Sequence, residues 1–456
     1  MDLLVRNATA IMTGGAGGAG GAARARGSDI RIEGTHIAEI GTLAPKPGER
    51  VLDATDCVIY PGWINTHHHL FQALLKGVPA GIDLQLVPWL SAVPVAYRRF
   101  ATEDNLRLAA TIGIAELLLS GCTTIADHNY AYWPEMGFDG SAVLFEVAEK
   151  FGVRFVLMRG GATRVRDIDV NPPPEARPET LDGMLASVEG DVRRFHQANG
   201  DAMRKVVLAP TTPTWSVHPH ELPQFAAAAR KMGIGLHSHL SESLDYVHFC
   251  RDVHHCKPLE FVARHDWVGP DVFFAHLVHL DPDEIRLLAD TKTGMAHCPQ
   301  SNCRLGSGIA PAPALARIGG RVSLGVDGSA SNEAADMIDE THMAWLVHRA
   351  RDGAASVTVE EVIRWGTAGG ATVLGLDKVG TLAPGMAADL MVYSLDHIRY
   401  AGLHDPAIGP VAGGGQAHVK YGFCNGRLVV EDGRIPGLDL SRIAAEARTA
   451  VSRMVV

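Results

Sequence analysis

Histidines stand where an apolar run of this chain ends, and histidine is a common metal ligand in proteins. His67 and His69 follow the run CVIYPGWI, which is typical of a buried strand. Alternate residues of an extended segment face the same side, so these two imidazoles can face one ion while His68 faces away. Neutral imidazoles suit zinc. Because an H-x-H pair is a weak signal by itself, the remaining ligands must come from elsewhere in the chain.

Other residues capable of metal binding or proton transfer also stand near the ends of apolar runs. His239 and Glu242 lie in GLHSHLSES, His276 ends DVFFAH, and Asp327 lies in GVDGSASN. Each has a plain structural alternative. A histidine at a strand end is often a hydrogen-bonded loop residue, and an aspartate before glycine and serine is often a turn residue. These residues can act as one site only if the fold brings them together.

The middle of the chain supplies such a fold. Short apolar runs alternate with segments of helical periodicity, and the runs are CVIYPGWI, CTTIAD, VRFVLMRG, KVVLAP, GIGLHSH, DVFFAH, TGMAHCP and RVSLGVDG. Eight such runs predict an α/β fold, a (β/α)8 TIM-like barrel over residues 59–375. Barrel enzymes place their chemistry at the carboxyl ends of the strands. The two histidines of the first strand, His239 and Asp327 would then surround one point and leave a position open for water, as in catalytic zinc sites.

Both ends of the chain consist of short strand-like segments. DIRIEGTHIAEIG alternates apolar and polar residues about a Glu-Gly turn, and CNGRLVVE contains an Asn-Gly hairpin signal. The glycine-rich residues 14–27 predict a flexible loop. We expect residues 1–58 and 376–440 to form one composite β-sandwich and residues 441–456 to form a C-terminal helix.

Composition limits the possible partners and the compartment. The 456 residues allow one large and one small domain, and the net charge of −10 argues against a nucleic-acid partner. No apolar run reaches the length of a membrane span, and the start of the chain does not resemble a secretory signal. Seven separated cysteines without a CxxC pair favour reduced thiols and a cytoplasmic location. The segment CRDVHHC matches no zinc-finger spacing.

Motifs in a fixed order carry a resemblance to a known family. PGWINTHHH, HSHLSES, FAH, HCPQSN, LGVDGSASN and GTLAPGMAADLMVYS resemble the amidohydrolase superfamily, in its aminohydrolase branch, over nearly the whole chain. The resemblance implies one divalent metal per subunit, Zn²⁺ first and Fe²⁺ or Mn²⁺ as options, and a homo-oligomer. The implied metal ligands are His67, His69, His239 and Asp327. The implied catalytic residues are Glu242 as proton carrier, His276 as the residue that steadies the reacting water, and Asp327.

Two other metal architectures fit less well. Relatives with two metals carry a modified lysine at the end of the fourth strand, but here that strand ends in VVLAPTTPTWS and Lys205 stands at its start. This favours a single metal over a two-metal cyclic amide hydrolase. His237 precedes His239 by two residues but is not normally a ligand in this branch. The H-x-E and P-C-x-x-C motifs of other zinc deaminases are not matched by PQSNC.

The substrate pocket is expected at the barrel mouth. Amides there can both donate to and accept from a heterocycle, aromatic rings can stack on it, and Arg159 can clamp a carbonyl oxygen or, alternatively, hold loops together in an ion pair. Residues 127–141 and the proline-rich residues 169–179 are expected to be loops over the mouth that carry specificity. The candidate substrate-binding residues are Gln72, Trp89, Tyr130, Tyr132, Arg159 and Gln300.

The resemblance also implies a reaction: hydrolysis of a C–N bond in a cyclic amidine, with release of ammonia from a 2-amino-oxo fused heterocycle. Isoxanthopterin is the first candidate and 8-oxoguanine the alternative. Gln300 stands where 8-oxoguanine-type sequences have a cysteine, which favours the pterin. A chlorotriazine hydrolase is a further alternative. A non-catalytic scaffold is disfavoured, because scaffold relatives tend to lose ligands or the proton carrier and this chain keeps both.

Overall fold

The computed structural model describes residues 2–16, 22–166 and 172–455. The strands are β1 Leu3–Arg6, β2 Ala10–Ala16, β3 Ala22–Arg24, β4 Asp29–Glu33, β5 His36–Gly41, β6 Arg50–Asp53, β7 Cys57–Pro61, β8 Trp63–Asn65, β9 Cys122–Asn129, β10 Arg154–Arg159, β11 Arg204–Leu208, β12 Leu236–Leu240, β13 Val272–His276, β14 Gly294–His297, β15 Arg321–Leu324, β16 Leu390–Ser394, β17 Val419–Cys424 and β18 Arg427–Glu431.

The α-helices lie between and after these strands. They are α1 Leu86–Leu90, α2 Glu103–Leu119, α3 Gly140–Phe151, α4 Leu181–Phe195, α5 Leu222–Met232, α6 Leu244–His254, α7 Pro258–Ala263, α8 Pro282–Thr291, α9 Pro299–Arg304, α10 Ala312–Arg317, α11 Ser329–Asn332, α12 Met337–Asp352, α13 Val359–Arg364, α14 Gly370–Leu374, α15 Gly409–Gly413 and α16 Leu440–Val451. Within the described residues, no helix has the length and apolar character needed to cross a membrane.

Eight parallel strands, β8 to β15, pair with their neighbours in chain order and curve into a barrel. The first and last strands meet through two backbone hydrogen bonds. Thr66 N donates to Leu324 O at 3.0 Å, and Asp327 N donates to His67 O at 3.0 Å. The (β/α)8 prediction is confirmed. Because the second of these bonds joins two predicted metal ligands, barrel closure and site assembly occur at the same place.

The remaining strands form two sheets drawn from both chain ends. Their orders are β5-β4-β1-β6 and β18-β17-β16-β7-β2-β3. Apolar side chains of the two sheets, among them Val5, Ile59 and Phe423, pack into one core. Asn425 and Gly426 turn the β17–β18 hairpin with φ of 50° and 73°, the left-handed pair that an Asn-Gly hairpin turn requires.

The run CVIYPGWI is not a single barrel strand. Strand β7 pairs with β2 and β16 in the six-stranded sheet, and only β8 enters the barrel. The chain changes sheets at Gly62, where a Cβ would lie 2.2 Å from Thr123 Oγ1. Glycine is therefore required there, and residues 59–61, which we expected in the barrel, belong to the sandwich sheet.

The glycine-rich stretch also differs from expectation. Strands β2 and β3 pair antiparallel on either side of residues 17–21, so the neighbouring residues are strand rather than loop. Residues 17–21, at its centre, lie outside the described chain. Small residues can pair along a sheet edge through backbone hydrogen bonds alone. A glycine-rich composition therefore does not distinguish an edge strand from a loop.

A buried ion pair ties the sandwich to the barrel. Arg154, at the start of β10, lies 3.1 Å from Asp389, just before β16, and both side chains are fully buried. Asp389 also accepts a hydrogen bond from Asn425 N at 2.7 Å. The pair lies at the amino ends of the barrel strands, opposite the mouth.

Candidate active site

The four predicted metal ligands meet at the barrel mouth, and we call His67, His69, His239 and Asp327 the four-ligand site. His69 Nε2 lies 3.1 Å from Asp327 Oδ1 and 3.2 Å from His239 Nε2. His67 Nε2 lies 3.3 Å from the same Asp327 oxygen. All four side chains are buried. Residues from the first, fifth and last barrel strands thus converge on one point.

The Nε2 atoms face this point because each Nδ1 atom is engaged elsewhere. His69 Nδ1 donates to His128 O at 2.7 Å, and His239 Nδ1 donates to Thr211 O at 2.6 Å. His67 Nδ1 instead lies 2.9 Å from His237 Nε2. Partners of this kind fix the tautomer and orientation of metal-binding imidazoles. The three Nε2 lone pairs therefore converge.

His237, which sequence reasoning left out, supports His67. Its own Nδ1 donates to Phe273 O at 3.1 Å, so its Nε2 carries the lone pair that accepts from His67 Nδ1–H. The H-x-H spacing of His237 and His239 was visible in the sequence. Only the structure places the first of them behind His67 rather than within the four-ligand site.

The spacing of these donor atoms suits a divalent metal ion. Ligands about 2.0–2.1 Å from a tetrahedral zinc ion are about 3.3 Å apart, close to the separations of 3.1–3.3 Å in the four-ligand site. Two overlapping groups have ligand atoms within 4.8 Å of one another. One adds His128 to the three histidines, and the other joins His276 to His67, His239 and Asp327.

Burial and mutual contact tune the charges of these groups. Burial lowers the pKa of His239 to about 3 and holds the pKa of His67 well below its ordinary value, so both rings are neutral at pH 7. Burial alone would raise the pKa of Asp327, but its contacts with His67 and His69 hold that pKa well below its usual range. Neutral imidazoles and an ionised carboxylate are the states that bind a metal.

Glu242 and His276 flank the four-ligand site on the pocket side. His276 Nε2 lies 3.5 Å from Glu242 Oε2, and its Nδ1 donates to Asn302 Oδ1 at 2.9 Å. Burial raises the pKa of Glu242 to about 7. A carboxyl group with a pKa near the working pH can both donate and accept a proton.

A single pocket contains these groups and four of the predicted substrate-binding residues. Gln72, Trp89, Tyr130 and Tyr132 line it together with Glu242, His276 and Asp327. Gln72 is fully buried, and its Nε2 donates to Tyr130 Oη at 3.1 Å. Its Oε1 has no hydrogen-bond partner among the described residues. The amide oxygen is instead buried against Gly328, where a Cβ would lie 1.9 Å from it.

Two predicted substrate-binding residues do not line the pocket. Arg159 forms a two-pronged ion pair with Glu179, at 2.6 and 2.8 Å, and its guanidinium lies 3.9 Å from the centre of the Tyr132 ring. This geometry matches the loop-holding alternative rather than a direct clamp. Gln300 donates its backbone N–H to the buried Glu340 at 3.2 Å. Neither residue belongs to the pocket lining.

The pocket mouth carries arginines that sequence reasoning missed. Arg98 lies over the rings of Phe71 and Tyr130, 5.5 and 5.2 Å from their centres, and donates to Tyr130 O at 3.0 Å. No motif in the sequence marks these arginines. The arginines lining the pocket are Arg98, Arg164, Arg166 and Arg177.

The predicted mouth loops are partly strand. Asp127–Asn129 complete β9, and the loop begins at Tyr130. Of the proline-rich residues 169–179, residues 169–171 lie outside the described chain, whereas Ala176 and Arg177 line the pocket. Lys205 lies at the opposite end of the barrel, where its Nζ donates to Leu374 O at 3.0 Å. It is therefore remote from the four-ligand site.

Comparison with known proteins identifies similar chains. The chain is 55% identical to an isoxanthopterin deaminase from an unknown prokaryotic organism, over 99% of this chain and 97% of the relative. It is 37% identical to an 8-oxoguanine deaminase from Pseudomonas aeruginosa, over 93% and 94% of the two chains.

Two crystal structures share the fold over nearly their full length. An amidohydrolase from a Sargasso Sea environmental sample is 52% identical, covers 100% of this chain and 99% of its own, and superposes with a TM-score of 0.89. An atrazine chlorohydrolase from Arthrobacter aurescens, complexed with zinc, is 27% identical, covers 98% and 100%, and gives a TM-score of 0.88. The amidohydrolase family model matches residues 58–429. The fold, the site and these matches together show that the chain belongs to the amidohydrolase family.

Proposed function

We propose that this protein is a metal-dependent hydrolytic deaminase of a 2-amino-oxo fused heterocycle, with isoxanthopterin as its substrate. The observation that carries the proposal is the convergence of the four-ligand site with Glu242 and His276 at the base of one pocket. The extensive identity to an isoxanthopterin deaminase supports the choice of substrate.

The four-ligand site would hold one divalent metal, and zinc suits three imidazoles and one carboxylate best. When bound, such an ion supplies a water that is nucleophilic at neutral pH. Fe²⁺ and Mn²⁺ are compatible with the same donors. The position of Lys205 at the opposite end of the barrel supports a single ion.

Glu242 acts as the proton carrier. Its raised pKa lets it take a proton from the attacking water and deliver it to the ring nitrogen beside the attacked carbon. The water oxygen bonds to that carbon, the carbon–nitrogen bond to the amino group breaks, and ammonia leaves. A carbonyl group replaces the amino group, so water and substrate together account for both products.

His276 and Asp327 place the water and complete the proton transfers. His276 Nδ1–H is held by Asn302, which leaves Nε2 as an acceptor on the pocket side. Asp327, ionised and part of the four-ligand site, takes the remaining water proton and passes it to the departing amine. General acid–base assistance of this kind contributes about 10²–10⁴-fold to rate.

Gln72 reads the substrate edge. Its amide lines the pocket with Nε2 held by Tyr130, and it supplies a polar contact to the heterocycle edge. Trp89 and the two tyrosines form the apolar wall against which a flat ring packs. Arg159 acts indirectly by supporting Tyr132.

Deamination of 8-oxoguanine is the second candidate, and a relative of 37% identity favours it. Gln300 does not line the pocket, so the residue that favoured a pterin over a purine in the sequence would not contact the ring directly. A chlorotriazine hydrolase shares the fold, but the higher identity belongs to the deaminases. The completeness of the four-ligand site disfavours a scaffold.

The test is ammonia release from isoxanthopterin, 8-oxoguanine and a chlorotriazine by zinc-loaded protein, at equal substrate concentrations. We expect the highest kcat/KM with isoxanthopterin and no chloride release from the triazine. A higher kcat/KM with 8-oxoguanine would transfer the assignment to the purine. Absence of ammonia from both bicyclic substrates would refute the proposed function.

A further inference from the structure

We propose that two adjacent residues of α9, Ser301 and Asn302, form a positioning pair for the two groups beside the reacting water. Ser301 fixes the carboxylate of Asp327, and Asn302 fixes the ring of His276. The proposal rests on the proposed function for its kinetic consequences only, because the contacts themselves are independent of the substrate.

Ser301 holds one oxygen of Asp327 so that the other faces the histidines. Its hydroxyl donates to Asp327 Oδ2 at 2.6 Å, and the hydroxyl of Ser331 lies 3.1 Å from the same oxygen. The two hydroxyls are 3.0 Å apart, and both serines are buried. Asp327 Oδ1 is left to face His67 and His69. The serines thus set the rotation of the carboxylate plane.

Asn302 holds His276 in a matching way. The ring Nδ1 donates to Asn302 Oδ1 at 2.9 Å, and both side chains are buried. This bond places the ring hydrogen on Nδ1 and leaves the Nε2 lone pair beside Glu242, 3.5 Å from its oxygen. The orientation and tautomer of His276 therefore depend on Asn302.

The position of α9 explains how neighbouring residues reach two different strands. The helix follows β14, and β14 lies between β13 and β15 in the barrel. Successive side chains leave a helix roughly 100° apart. Asn302 reaches the end of β13, and Ser301 reaches the segment after β15. One turn of helix thereby links both sides of the site.

The two held residues also need external support. His276 and Asp327 have φ of 71° and 58°, in the left-handed region that non-glycine residues rarely adopt. Backbone in this region persists where the surroundings hold it in place. Hydrogen bonds from α9 to both side chains are part of that support.

The test compares Ser301→Ala and Asn302→Leu with Cys303→Ala, an exposed neighbour on the same helix that serves as the control. At saturating metal, we expect kcat for ammonia release to fall about 10–100-fold in the first two variants. KM should change less than about 3-fold, and the control should match the unmodified protein. Asn302→Asp, which keeps an acceptor oxygen, should recover most of the kcat lost in Asn302→Leu.

The visible spectrum of the cobalt-substituted protein separates the two roles. Ser301→Ala should shift the cobalt bands, because Asp327 is a ligand of the four-ligand site. Asn302→Leu should leave them unchanged, because His276 is not. Unchanged cobalt bands in Ser301→Ala, or unchanged kcat in Asn302→Leu, would overturn the inference. If the unmodified protein released no ammonia, the proposed function would fail, and the cobalt spectra would still test the serine contact.

Discussion

His69 Nε2 lies 3.1 Å from Asp327 Oδ1 at the seam where the first and last barrel strands join. A backbone hydrogen bond from Asp327 N to His67 O, at 3.0 Å, belongs to the same seam. The four-ligand site therefore exists only when the barrel is closed. Metal binding and barrel closure should stabilise one another, since an ion that binds only the folded state adds to its stability.

Replacement of Glu242 by glutamine should abolish turnover and spare the metal. The amide has nearly the same shape but cannot carry a proton, so we expect kcat to fall by about 10²–10⁴-fold or more. Steady-state ammonia release gives the rate, and atomic emission spectrometry gives the metal per chain. Near-normal turnover with full metal content would remove Glu242 from the proposed mechanism.

Arg159→Met should act on stability first. The guanidinium is paired with Glu179 in a nearly buried position, and removal of one partner of a buried pair costs about 3 kcal/mol or more. Denaturant unfolding measures the loss, and the double variant with Glu179→Met should recover part of it. A tenfold rise in KM with unchanged stability would instead establish Arg159 as a substrate clamp.

Gln72→Leu should weaken substrate binding. The change removes a pocket-lining amide and leaves a polar group of the substrate edge unpaired, which costs about 1–3 kcal/mol. We expect KM to rise about tenfold. Tyr130→Phe, which removes only the oxygen that orients the amide, should have a smaller effect. A larger effect in Tyr130→Phe than in Gln72→Leu would show that the tyrosine hydroxyl, not the amide, binds the substrate.

Asp127 should make stability depend on pH. Its Oδ1 accepts from Leu70 N at 2.7 Å, and burial raises its pKa from 3.8 to about 7. The folded chain keeps the proton that the unfolded chain loses above about pH 4, so this group destabilises the protein progressively as pH rises from about 4 to about 7. Asp127→Asn removes that titration.

The Tm of Asp127→Asn minus the Tm of the unmodified protein should therefore be larger at about pH 8 than at about pH 5. Each pH unit corresponds to about 1.36 kcal/mol, so the free energy of unfolding of the two proteins should differ by about 3 kcal/mol more at the higher pH. Thermal unfolding of both proteins in the two buffers measures it. A constant difference in Tm across this range would mean that the Asp127 pKa is not raised.

Periodicity and motif order predicted much of the fold. The eight barrel strands follow the apolar runs, and helices lie between them as the alternation predicted. The exception at Gly62 arises from tertiary contact: the Thr123 side chain leaves no room for a Cβ. Local pattern could not reveal that the apolar run on either side of Gly62 belongs to two different sheets.

The candidate site could likewise be predicted from the sequence only in part. Its ligands stand at strand ends, where barrel geometry makes convergence predictable from sequence. Arg159 also stands at a strand end, but its partner Glu179 lies in the irregular connection between β10 and α4, and only the structure shows the pairing. The same holds for Ser301 and Asn302, whose contacts depend on how α9 packs over the barrel.

The most direct measurement of the central claim is anomalous diffraction at the zinc absorption edge from crystals of the zinc-loaded protein. We expect one strong peak, about 2.0–2.2 Å from the Nε2 atoms of His67, His69 and His239 and from Asp327 Oδ1. Two peaks in the barrel mouth would contradict a single-metal site. So would one peak that marks an ion bound by other residues, in protein that releases ammonia.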